Sequence, residues 1–340
     1  MNFYDEETDN NREKPTVEAT VEALRTDEPD LYNATLYYGL SELQPDEVEQ
    51  VKATWNSLSA ENRRKLLEEM TEASEANFEV NYQPVALMAL DDSDGSVRAA
   101  AIDALWEDES PDLMKRLIDS IQWDESQAVR AASATALGRF ILLGEYGELT
   151  EQQYNQAQDA VISVLTDEDE DIAVRRRALE AIANSSHEIV PQAIEEAYYG
   201  TDREMRVSSI FAMGRSCDAN WQDIVMRELS SEDAEMRYEA ARAAGELSLL
   251  EAVPALGRAA VGDEREIREV AIWSLGEIGG NEALRILSAL AEDAKEAEDD
   301  DLLEIVEEAI GNASLVGGDM EFDFYDFNDF DTDEDDELDD

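Results

Sequence analysis

The segment EIREVAIWSLG (266–276) sets an apolar residue before an arginine, then two variable positions, a small residue, two variable positions, a small residue, an apolar residue and a glycine. The same order returns without gaps in SVRAAAIDALW (96–106), AVRAASATALG (128–138), AVRRRALEAIA (173–183), EMRVSSIFAMG (204–214) and EMRYEAARAAG (235–245). The arginine column is Arg98, Arg130, Arg175, Arg206, Arg237 and Arg268, with spacings of 32, 45, 31, 31 and 31 residues. Self-similarity at such a period marks stacked structural repeats. Within each segment, residues such as Val97, Ala101, Ala104 and Leu105 form one stripe of a helix. The small residues admit a neighbouring helix at close range. The glycines at 138, 214, 245 and 276 are expected to end their helices as left-handed caps.

A second apolar-periodic segment precedes each of these helices, as in QPVALMAL (83–90), DLMKRLIDSI (112–121), EIVPQAIEEAY (188–198), WQDIVMREL (221–229) and EAVPALGRAA (251–260). Each unit therefore reads helix, turn, helix. Pro191 and Pro254 fall near the start of the first helix, where a missing N–H costs little. Asp94, Asp171, Asp202, Asp233 and Glu264 stand four residues before the arginine, with Ser126 the exception. A carboxylate there can cap the second helix and meet the arginine, within a repeat or across to its neighbour, which makes the arginine ladder structural.

On this apolar-Arg-x-x-Ala-x-x-Ala-Leu-Gly core, residues 83–316 resemble HEAT repeats in the short form named after phycobilisome lyases. The resemblance implies an all-α fold, a right-handed alpha-alpha superhelix (alpha-solenoid) of helical hairpins. LLEIVEEAIG (302–311) keeps the register with Leu303 in place of arginine and reads as a capping repeat. Residues 30–82 read as an atypical helical cap, with Ser59 a helix entry, and residues 1–29 as a flexible acidic segment. The 45-residue spacing implies about 14 inserted residues near 144–156, expected as an extended loop. Residues 317–340 carry 13 acidic and no basic residues and are expected to be disordered.

The net charge of −58, from 84 acidic and 26 basic residues, repels nucleic-acid phosphates and anionic membranes. It attracts basic proteins; salt adaptation would produce the same excess. The lone Cys217 permits no intrachain disulfide, and no apolar run approaches the roughly 20 residues that span a bilayer. The acidic first residues lack a secretory pattern, so a cytoplasmic location is expected.

Catalytic constellations find few candidates. His187 is the single histidine. Deoxyhypusine hydroxylase, which shares this repeat architecture, uses several His-Glu pairs around two irons, whereas His187-Glu188 is the one such pair here. Carboxylates without imidazole would hold calcium or magnesium only weakly. Asp329, Asp331 and Asp333 imitate the start of a calcium loop, but Glu334 stands where glycine is needed. His187 and Cys217 fall one register position apart in consecutive turns; a thiol-imidazole dyad would need hydrogen-bond reach. We expect no cofactor, no metal and no catalysis.

The resemblance implies that the second helix of each repeat lines the concave face, where a peptide or protein would bind. Six residues after its first apolar position stand Asp103, Thr135, Glu180, Phe211, Arg242 and Trp273; ten after stand Glu107, Arg139, Asn184, Arg215, Glu246 and Glu277. Arg139, Arg176, Arg177, Phe211, Arg215, Arg242 and Trp273 are thereby candidates for a peptide-binding groove, unless Glu180, Glu239 and Glu246 neutralise the arginines. In the tail Phe322, Phe324, Tyr325, Phe327 and Phe330 interleave with carboxylates, a composition suited to occupying an arginine-rich groove in cis. The expected function is a scaffold or adaptor binding a basic protein or peptide. The alternatives are a lyase or metal-dependent enzyme of the HEAT-like group, and an acidic nucleic-acid mimic that recruits a basic protein.

Overall fold

Helix after helix is joined by short turns in the computed structural model, which describes residues 14–26, 28–262 and 264–316. The expectations for residues 317–340 and for 1–13 lie outside the described residues. There are eighteen α-helices and no strand among them. The chain divides into two compact units, Met1–Cys217 and Asp218–Asp340.

In the first unit α1 (Val17–Leu24), α2 (Ala34–Gly39) and α3 (Pro45–Trp55) lead to α4 (Ala60–Ala76). Hairpins follow: α5 (Gln83–Ala89) with α6 (Gly95–Asp103), α7 (Pro111–Trp123) with α8 (Gln127–Glu145), α9 (Glu151–Leu165) with α10 (Ile172–Ile182), and α11 (Ile189–Tyr199) with α12 (Arg203–Arg215). In the second unit the pairs are α13 (Gln222–Glu228) with α14 (Ala234–Glu246), α15 (Val253–Ala259) with α16 (Arg265–Ile278), and α17 (Gly280–Ala297) with α18 (Asp300–Val316). Second helices pack on one another in sequence: α4, α6, α8, α10 and α12 in the first unit, α14, α16 and α18 in the second. Each unit is thus an all-α solenoid with its core between two rows of helices.

The aspartates four before the arginines do cap their second helices, whereas Glu264, expected to do the same, makes no side-chain cap bond and is held by Arg237 instead. Asp94, Asp171, Asp202 and Asp233 accept the N–H of Ser96, Ala173, Met205 and Glu235. Asp94 and its counterparts thereby satisfy donors that a helix start leaves unpaired. Pro254 lies in the first turn of α15.

The glycines behave differently from expectation. Gly138, Gly214, Gly245 and Gly276 are buried within their helices, and the positive φ angles come three residues later at Cys217, Ser248 and Gly279. Gly138, Gly245 and Gly276 serve close approach instead. A Cβ on Gly245 would lie 2.9 Å from Ser274 Oγ, one on Gly276 3.0 Å from the Ala309 carbonyl, and one on Gly138 3.1 Å from Ala181 Cα. Three small residues therefore let second helices touch almost backbone to backbone.

Two segments also differ from their expected state. The acidic segment 1–29 contains α1, capped by Thr16, with Thr20 and Leu24 buried against α2 and α3. Gly39 makes room for this helix, since a Cβ there would lie 2.0 Å from Thr20 Oγ1. The insertion is helix and not an extended loop: α8 runs on to Glu145, and Thr150 starts α9 with a capping box to Gln153. Tyr154 packs its ring on Gly144 and its hydroxyl donates to Glu145, while Gln158 Nε2 donates to Ser185 Oγ at 2.5 Å. This buried polar set gives the lengthened hairpin a specific closure.

Candidate protein-binding face

The arginine ladder is built from both sides. Arg98 Nη1 donates to the Asp92 carbonyl at 2.8 Å, six residues upstream, and Nε and Nη2 hold the two oxygens of Asp124 at 3.0 and 2.7 Å. Arg130 repeats this with the Asp124 carbonyl and the carboxylate of Glu170, and Arg237 with the Ser231 carbonyl and Glu264. The guanidinium fork suits such a bidentate clamp. The carboxylate it meets comes from the following turn and is not, at Arg98 and Arg130, the residue that caps the helix. Burial works against Asp124, yet the Arg98 guanidinium and the Ser126 N–H hold its carboxyl below the usual range. Glu170 is lowered chiefly by its hydrogen bonds from Arg130.

Sequence reasoning missed one rung. Arg63 of α4 donates to the Leu58 carbonyl at 2.6 Å and sits 2.8 Å from Asp92, with both side chains almost fully buried. The helix pair α3 and α4 is thus a degenerate repeat continuous with the ladder, capped by Ser59 at Asn62 N–H. Its signal was the arginine 35 residues before Arg98; Asn62 in the apolar position and Glu69 in a small one hid the match. The other rungs vary. Arg175 reaches the Leu165 carbonyl at 3.2 Å, Arg206 lies 5.9 Å over the Tyr198 ring, and Arg268 is half-buried at the same register of α16.

The proposed groove residues are placed as follows. Arg139 turns back into the preceding repeat, where its guanidinium donates to the carbonyls of Leu105, Trp106 and Asp108. Burial lowers its pKa, and its donors are committed to closing the end of the α6 hairpin. Arg176 and Arg177 lie together on α10. Arg177 donates to Glu180 at 2.6 Å, Ser208 joins Glu180 to Arg176, and Arg176 reaches Glu204 at 2.6 Å. Asp103 is exposed on α6. Phe211 and Arg215 are half-buried on α12.

Arg242 and Trp273 belong to the second unit, where they line one groove of about 700 Å³ between α14 and α16. Tyr238, Ile267, Val270 and Trp273 supply its apolar surface, and Trp273 is 37 % exposed. Glu235, Glu246, Glu264, Glu266 and Glu269 supply carboxylates. Arg242 pairs on its own helix with Glu239 at 2.9 Å and Glu246 at 3.2 Å. Arg176, Arg177 and Arg242 are therefore each paired with a glutamate, the alternative that the sequence left open for this surface.

His187 Nδ1 accepts the N–H of Ile189, two residues on, and Cys217 is exposed in a turn. Among the described residues no helix is long and apolar enough to cross a membrane.

Residues 84–146 and 223–310 match the family profile of HEAT repeats. No curated protein sequence matches the chain. Solved structures similar to it include YibA of Escherichia coli, 16% identical, with 75% of this chain and 98% of that one covered and a TM-score of 0.42. Yeast importin-beta is 12% identical, with 89% of this chain and 46% of that one covered and a TM-score of 0.46. Human deoxyhypusine hydroxylase is 19% identical, with 88% and 96% covered and a TM-score of 0.29. The matched stretches fall one in each compact unit and carry the rungs Arg98, Arg130, Arg237 and Arg268, so these stretches are HEAT repeats by sequence as well as by their helical hairpins.

Proposed function

We propose that this protein is a non-catalytic cytoplasmic scaffold that binds a basic protein on the exposed face of its second helices. The observation that carries this reading is the packing of those helices through glycine, alanine and serine. Close contact there leaves the outward columns in register and outside the core, as an extended surface of the kind repeat stacks use for partners. The charge of −58 favours a basic partner. The inventory of one histidine and one cysteine supports a binding role over catalysis. The 31-residue spacing supports the short, phycobilisome-lyase-like form of the repeat.

Immobilised full-length protein, exposed to extract of its native cell, should retain a defined set of proteins that an equally acidic polyglutamate column does not. Retention of the same set by both columns would reduce the protein to a polyanion and overturn the reading.

A further inference from the structure

The groove between α14 and α16 combines two features that do not belong together on an inert surface. Trp273 stands in a column whose other members are Asp103, Thr135, Glu180, Phe211 and Arg242, and it keeps 37 % of its surface in water beside Tyr238, Ile267 and Val270. Leaving an indole so placed forgoes burial that a bound group could supply. Five carboxylates line the groove with it, and Arg242 holds one of them, Glu246, together with Glu239. Glu264 and Glu269 have Arg237 and Arg265 as partners, while Glu266 makes no ion pair among the described residues. Glu266 is thus a lining carboxylate open to a cation.

An apolar strip with Glu266 at its edge matches a side chain that is aliphatic along its stem and cationic at its tip. Arginine and lysine have that form, and an aromatic face adds attraction for the cation. We infer that this groove is the docking site for a basic peptide segment of a partner protein, with an arginine or lysine laid along Trp273 and its charged end at Glu266. The inference rests on the scaffold reading and assigns it a place. The same carboxylates repel the chain's own tail, whose 13 acidic residues make it a poor occupant in spite of its aromatics.

The test is fluorescence anisotropy of a labelled peptide of alternating arginine and alanine against the full-length protein at about 0.15 M salt, where long-range attraction is screened. Trp273→Ala should weaken binding about tenfold, the size of a desolvated cation-aromatic contact. Trp273→Tyr should restore most of it, and Glu266→Gln should weaken it a few-fold. Glu151→Gln, a carboxylate of the first unit, should change nothing. Equal affinity of wild type and Trp273→Ala, equal losses from Glu266→Gln and Glu151→Gln, or no binding at all would each overturn the inference. A gain on deleting residues 319–340 would make the tail the occupant and overturn it as well. If Trp273→Ala still captures the partner set from extract, the groove assignment fails while the scaffold reading stands; if wild type captures no set, the scaffold reading itself has failed.

Discussion

The helix pairs α10–α12 and α14–α16 solve the same packing problem with opposite choices. Between α10 and α12 the exposed face is pinned: Arg176 crosses to Ser208 and Glu204, and Glu180 accepts from Ser208. The ladder end is slack there, because Arg175 binds only a carbonyl and a cavity of about 360 Å³ opens beside it, with Gly200 in its lining. Between α14 and α16 the ladder end is pinned by Arg237 on Glu264, Arg242 holds Glu239 and Glu246 of its own helix, and the exposed face carries the groove. The first junction is thus bridged on its exposed face and open at its ladder end, and the second is bridged at its ladder end and carries a groove on its exposed face.

The comparison can be broken most severely at a rung pinned on both counts. Arg63→Ala removes a carbonyl partner and strands the buried Asp92, and should destabilise the first unit by about 3 kcal/mol, read as a lower urea midpoint. Gly276→Ala tests whether close approach sets the junction spacing. The new methyl meets the Ala309 backbone, which cannot rotate away, so a loss of about 2 kcal/mol is expected in the same measurement.

Asp124→Asn sharpens the ladder side by pH. The folded-state pKa of Asp124 is depressed, so its contribution is complete above the unfolded carboxylate value near about 4 and is lost as pH falls through the folded value. Wild type should exceed the variant by about 1–2 kcal/mol at neutral pH, and the gap should close only in that acidic window. The smallest effect belongs to the exposed face. A double-mutant cycle on Arg176 and Glu204 should give a coupling of about 0.5 kcal/mol that fades with salt, since Glu204 is half in water.

Much of this was legible in the residues. The arginine column, the capping aspartates and the paired helices follow from local spacing, because helix periodicity and N-caps depend on neighbours within a turn or two. The glycines were misread because a glycine at a helix end and one inside a helix contact look alike without the partner helix. The segment 144–156 was read as a loop since its glycines and polar residues hide two helix ends, and Arg63 escaped because its rung has lost the small residues around it. At the candidate face, the charge columns name both the arginines and the glutamates that could neutralise them, and geometry shows that Glu239 and Glu246 do hold Arg242.

Sequence alone determined that these residues form helical hairpins in a repeating register, since every signal involved acts within about 30 residues. Only the tertiary structure decided which junctions are closed and which are open. That choice rests on which side chains of two neighbouring helices come within reach of each other, a matter of three-dimensional packing that spacing along the chain does not contain.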